Sequence, residues 1–320
     1  MKKYLKENYK QILCLLLFAI IVNIPLPYYI EAPGGTINLT KRIEQKYDSK
    51  NGSLNMLYVA EYRGNIVTVL LGKILKNWDL YKTEEHQISD ESESEIYARN
   101  RLMLENSINN ATYVAYKEAG QELNISKIEN LIIATTKDNG LKIGDNVLKI
   151  DNIDVDNIMT IKNHLQELSP KDTVNVTIER NGKEKNINIT LEEDKMLGIM
   201  LITNYNYEVP NEIPQLFRSG EGGASGGMIL SLGIYSYISG EDIPKGRKIA
   251  GTGTIDIDGN IGEIDGVKHK IMGAVKNKMD IVLVSQYNYE EAKKIVDENH
   301  YNIELVEVKT LREAIDYLTQ

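Results

Sequence analysis

The sequence predicts an α+β multidomain protein: an N-terminal transmembrane helix, a small β-rich module in the middle and an α/β domain at the C-terminus. Three observations predict it. An apolar run follows a lysine-rich start. Strand-like segments then flank an Asn-Gly pair within residues 123–193. Strand-like and helix-like segments alternate from about residue 195 to the end.

The first ten residues carry Lys2, Lys3, Lys6 and Lys10 against a single acid, Glu7. Residues 12–22 are apolar without a break. Ile24, Leu26, Tyr28, Tyr29 and Ile30 extend the segment past Asn23, Pro25 and Pro27. About 19 residues suffice to cross a bilayer core, and tyrosines suit its far interface. The expectation is a basic cytoplasmic tail (1–10), a transmembrane anchor (11–30) and a remainder outside the membrane. The rival is a cleaved signal peptide, but no A-x-A-like site follows the apolar core.

Residues 31–122 form the first segment beyond the anchor. A strand is expected over 36–39. Residues 54–62 and 65–71 suggest a strand pair around Arg63-Gly64. The acidic run 89–95 reads as a solvated linker and helix start. One long helix is expected from Glu95 to about Ala119, where breakers are absent.

Residues 123–193 suggest strands at 131–134 and 147–151, a short helix at 160–168, and a hairpin pairing 173–179 with 185–191 around Asn181-Gly182. In 195–320, residues 249–257 read as a strand. Asp258-Gly259 is a turn, and 260–264 is the return strand. A helix (271–275) and a buried strand (281–284) follow. Asn288 with Glu291 forms a capping pair for a helix to about 298. A strand (301–308) and a helix (311–318), opened by Thr310 with Glu313, close the chain.

Composition excludes several function classes. The net charge of −9 argues against a nucleic-acid partner. Cys14 is the only cysteine, so no internal disulfide or thiolate metal site is expected. None of the four histidines forms an H-E-x-x-H pair. No G-x-x-x-x-G-K-[ST] occurs; Gly72-Lys73 is followed by Ile74. No metal and no cofactor are expected.

The chemistry centres on Ser225, within the run Gly220-Glu221-Gly222-Gly223-Ala224-Ser225-Gly226-Gly227, just before an apolar helix-like segment. A helix start offers free N–H groups and partial positive charge to an oxyanion. The plain alternative is a flexible loop capped by a serine. A serine needs a base. Lys270 follows 45 residues later, at the start of an apolar helix. Burial and the helix N-terminus both disfavour its charged form, so it can serve as that base. His269 is the only rival, and helical spacing turns it about 100° from Lys270. Lys268 is expected to be solvated.

Leu141-Lys142-Ile143-Gly144-Asp145-Asn146-Val147-Leu148 and the closing Val176-Thr177-Ile178-Glu179-Arg180-Asn181-Gly182 resemble a PDZ domain. That resemblance implies a groove taking an extended peptide by strand addition. A Thr136–Gly140 stretch stands where the small-Pro-Ala segment of that family lies.

Gly223-Ala224-Ser225-Gly226-Gly227, Thr252-Gly253, and Ile264-Asp265-Gly266-Val267-Lys268-His269-Lys270 resemble the proteolytic domain of the Lon family. The resemblance covers about 195–320. It implies Ser225 as nucleophile, Lys270 as base, Thr252 as the residue orienting Lys270, and the Gly226 backbone N–H as an oxyanion donor. Ala224, Gly226 and Asp265 depart from the family pattern, and Asp265 adds a charge that would raise the pKa of Lys270.

With the anchor and the PDZ-like module, the chain resembles the membrane-anchored, PDZ-containing, Lon-like proteases of bacteria. The expected function is an ATP-independent serine endopeptidase acting on proteins or peptides at the outer face of the cytoplasmic membrane, as a homo-oligomer. The alternative is a membrane-tethered binding or scaffold protein with an inactive protease domain.

Overall fold

The computed structural model describes residues 8–43, 52–89, 91–210 and 217–320. The lysines of residues 1–7 lie outside the described residues.

Helix α1 (Tyr9–Val22) is followed by strand β1 (Pro25–Asn38). The expected span therefore ends early. Residues 25–30, counted toward it, are strand, and Tyr29 and Ile30 are buried in the protein. Pro25 and Pro27 are the reason, since proline cannot continue a helix interior but tolerates extended backbone. Among the described residues, no helix is long and apolar enough to cross a membrane.

A short helix α2 (Leu39–Arg42) leads to β2 (Ser53–Asn65), α3 (Ile66–Ile74), β3 (Asp79–Lys82), a second short helix α4 (Thr83–His86) and the long α5 (Glu93–Glu118). Helix α3 replaces the expected second strand. Asn65 and Thr68 close a reciprocal capping box, which starts a helix in an apolar run that is ambiguous by pattern alone. Helix α5 matches its expected extent. Ser92 caps it with Glu95, and the neighbouring Glu91 is buried against Arg99 at 3.0 Å rather than solvated.

The middle unit comprises β4 (Ile125–Thr135), β5 (Asn146–Ile150), β6 (Ile153–Asp154), α6 (Ile158–Glu167), β7 (Thr173–Arg180), β8 (Lys183–Thr190) and β9 (Ile199–Tyr207). Its sheet runs β8-β7-β5-β4-β9. Asn181 (φ 55°) and Gly182 (φ 70°) make the tight turn that the Asn-Gly pair calls for. Buried Asp145 takes paired hydrogen bonds from Arg180, both 2.6 Å, tying the Gly-Asp turn to the closing hairpin. Strand β9 belongs to this unit, so the expected start of the last domain at 195 falls inside the PDZ-like sheet.

The last part holds α7 (Gly227–Ser239), β10 (Lys248–Thr252), the small pair β11 (Thr254–Ile255) and β12 (Ile261–Gly262), α8 (Val267–Lys276), β13 (Ile281–Ser285), α9 (Tyr289–Glu298), β14 (Glu304–Val308) and α10 (Leu311–Thr319). Its sheet is not its own. The order is β14-β13-β10-β2-β1-β3, with β10 parallel to β2 and β13. The 31–122 segment therefore supplies half of the C-terminal sheet, a pairing across nearly 200 residues that no local pattern announces.

Alternation along the strands divides two cores. Ile249, Ile281 and Leu283 face α7, α5 and α10. Ala250, Val282 and Val284 face α8 and α9. Helices α7 and α8 thus cover opposite faces of one sheet.

Candidate active site

Ser225 occupies the turn immediately before α7, whose N-cap is Gly226. Its carbonyl is gripped twice: the Gly253 N–H donates to it at 2.9 Å and the Thr252 hydroxyl at 3.2 Å. In return the Met228 N–H donates to the Gly253 carbonyl at 3.1 Å. The end of β10 therefore fixes the serine turn. The backbone N–H groups of Ser225 and Gly226 donate to no acceptor among the described residues. They are free for an oxyanion.

Thr252 is buried, but its hydrogen bond runs to Ser225 and not to Lys270. It holds the backbone of the Ser225 turn.

Gly226 is required by space. A Cβ there would meet Met56 Sδ at 2.2 Å, so the departure to glycine fits this chain's own β2. A Cβ on Gly227 would strike the Ile255 backbone nitrogen at 2.9 Å. The loop is also less loose than its glycines suggest. Arg42 grips Glu221 with two bonds of 2.7 Å, Gly223 N–H donates to the Asn100 carbonyl at 2.8 Å, and Ser107 Oγ donates to the Ala224 carbonyl at 3.1 Å. Asn100 and Ser107 lie on α5. No motif links them to residue 225; only the fold does.

Lys270 sits one turn into α8 and is 3% exposed. Burial pushes its ammonium down to about 8, against the opposing pull of the Asp265 and Glu31 carboxylates. Asp265 acts in the direction its charge implies, but desolvation outweighs it. Glu31, on β1, was not visible as a neighbour from sequence. No hydrogen bond links Ser225 Oγ to Lys270 Nζ.

The rival His269 is buried with Nε2 3.0 Å from Asp79 Oδ2 and 3.9 Å from Glu31 Oε2. It faces the β1–β3 edge. Burial holds it below the usual histidine range, with Asp79 opposing. Lys268 is not simply solvated: its Nζ lies 2.6 Å from Asp79 Oδ1. Asn288 does not cap α9 with its side chain. It is buried and exchanges two 2.9 Å bonds with the Ile264 backbone, holding the segment that leads into α8.

The structure thus holds a buried lysine lowered to about 8 and a serine turn with free N–H groups at a helix start. Residues 213–320 match the Lon protease (S16) C-terminal proteolytic domain. Residues 131–191 match the PDZ domain. The chain is 33% identical over 103 residues to an archaeal Lon protease of Halobacterium salinarum, covering 32% of this chain and 14% of that protein. It is 27% identical over 138 residues to Lon protease 2 of Borreliella burgdorferi, covering 40% and 17%. Against the Lon protease of Campylobacter jejuni it is 32% identical over 96 residues, covering 30% and 12%. The matched region thus spans less than a fifth of each of these relatives. The C-terminal unit is Lon-like and supports a serine peptidase; the middle unit is PDZ-like.

Proposed function

We propose that the chain is a serine endopeptidase that uses Ser225 as nucleophile and Lys270 as general base. The observation that carries this reading is Lys270: a lysine buried to 3% exposure and held at about 8, in a Lon-like domain. In the reaction, neutral Lys270 Nζ takes the proton of Ser225 Oγ as it bonds to the scissile carbonyl carbon. The oxyanion accepts hydrogen bonds from the Ser225 and Gly226 N–H groups. Collapse breaks the C–N bond, and Lys270 returns the proton to the leaving amine. Water then hydrolyses the acyl-serine, with Lys270 again as base. Lys270 Nζ and Ser225 Oγ share no hydrogen bond in the free protein, and the reaction requires them to meet when substrate is bound.

These 320 residues contain no P-loop, so cleavage proceeds here without ATP hydrolysis by this chain. Substrates are proteins or peptides, and the PDZ-like unit presents them. The chain works at a membrane surface, held there by α1.

The test uses the full chain in detergent, because a chain starting at residue 31 would lose half of β1. An unfolded protein is offered to wild type, Ser225→Ala and Lys270→Ala. Cleavage by wild type alone supports the dyad. Equal cleavage by all three sinks it, and activity lost only in His269→Ala moves the base to His269. No cleavage by any of them favours the scaffold reading.

A further inference from the structure

Helix α3 exposes apolar side chains where a globular protein would bury them. Val67, Leu70, Leu71 and Ile74 fall at i, i+3, i+4 and i+7, the spacing of a single helix face. All four are exposed, Leu70 at 56% and Ile74 at 74%, while Val69 on the opposite side is buried.

The sheet fixes where this face lies. Pro25, three residues past the end of α1, pairs with Asn65, the N-cap of α3. Strand β3, which follows α3, pairs with β1 at Tyr28–Glu31. Both ends of α3 are therefore held at the end of the sheet where α1 arrives, and the two helices touch. Helix α1 buries none of its residues, and Leu13, Leu15, Leu16, Leu17, Phe18 and Ile20 are each at least half exposed. A helix exposed and apolar on every side, at the edge of the molecule and not in its core, suits a lipid environment. The α3 stripe continues that surface. At its far end the stacked Tyr62 and Trp78 rings, 6.4 Å apart, and the exposed Lys73 and Lys76 provide the mixed aromatic and basic border typical of a membrane interface.

We infer that α3 is a second membrane contact, an interfacial helix whose Val67–Ile74 face lies in the headgroup and upper acyl region of the bilayer that α1 enters. This rests on the membrane reading of α1. It holds the Lon-like sheet against the membrane through β1 and β2, the strands that carry Glu31 and Met56 to the active site.

Trp78 is the only tryptophan in the sequence and borders the C-terminal end of α3, so comparing its emission between wild type and an α3 variant isolates the α3 contact. The experiment mixes the full chain with vesicles of phosphatidylcholine and phosphatidylglycerol, with and without brominated acyl chains. Flotation reads membrane binding as a whole; Trp78 quenching reads α3. Wild type should float, with Trp78 emission blue-shifted and quenched. L70E/I74E should still float through α1, with Trp78 returned to its lipid-free emission. Flotation without quenching in wild type, or equal quenching in L70E/I74E, overturns the α3 contact and leaves α1 standing. No flotation overturns both. A lipid-free dimer that L70E/I74E dissolves would assign the face to a second copy and overturn the lipid contact.

Discussion

Replacing Lys270 with methionine should abolish cleavage and stabilise the protein. Lys270 is buried, and burial lowers its proton affinity from the ordinary lysine value of about 10.4 to about 8. At about 1.36 kcal/mol per tenfold change in affinity, that difference corresponds to about 3 kcal/mol. The sign follows from the two states. Between pH 8 and about 10.4 the unfolded chain binds the proton more tightly, so wild-type stability rises with pH across that window. Below pH 8 the folded state must hold an ammonium in a dry site, and the full cost is present. Methionine removes the charge at similar length. Lys270→Met should therefore be more stable than wild type by about 3 kcal/mol at pH 6 to 7, with the gap shrinking as pH approaches about 10.4. Taking the difference cancels the titrations that both proteins share. The assay is urea unfolding of both proteins at a series of pH values, alongside cleavage of an unfolded substrate, which should fall by a factor of about 100 to 10,000. Equal stability at pH 7, or a gap that does not change with pH, would refute the argument that this lysine is held near neutral by burial.

Three further outcomes follow from the site. Asp265→Asn removes the larger of the two carboxylate pulls on Lys270, so the acid limb of kcat/KM should move to lower pH, with Glu31→Gln moving it in the same direction by less. Gly226→Ala should cost about 1–3 kcal/mol and slow cleavage, because its Cβ meets Met56 Sδ; Met56→Ala in the same chain should restore part of both, read as a double-mutant cycle. Arg180→Ala leaves the buried Asp145 carboxylate without its ion partner, held only by the Lys142 N–H, and should destabilise the PDZ-like unit by about 3 kcal/mol in urea unfolding.

The parts of this architecture that rest on local chemistry were legible in the sequence. Asn181-Gly182 strongly favours a tight turn, Thr310 with Glu313 caps the last helix, and the lack of breakers after Glu95 leaves one long helix. What rests on distant pairing was not. The 65–71 run read alone fits strand and helix alike, and the Asn65–Thr68 cap with the continuation of the apolar stripe to Ile74 decides it. The continuation of the first apolar segment into β1 depends on Tyr29 and Ile30 finding a core made by other elements. At the site, the serine and the lysine stand out by residue type and helix position. Their supports do not: Ser107 and Asn100 reach the loop from α5, and Glu31 reaches Lys270 from β1, through a fold that joins residues more than 100 positions apart. Thr252 was placed at the site by the Lon-family resemblance alone, and the direction of its hydroxyl, toward the Ser225 carbonyl, was not legible.

The central claim is that Ser225 is made nucleophilic by a lysine that loses its proton near neutral pH. Rapid acid quenching of the full chain with an activated peptide ester, followed by mass spectrometry, tests it most directly. An acyl group is expected on Ser225, formed at a rate that climbs with pH and levels off above about 8. An acyl group on another residue, or a rate on Ser225 that does not change across that range, would contradict it.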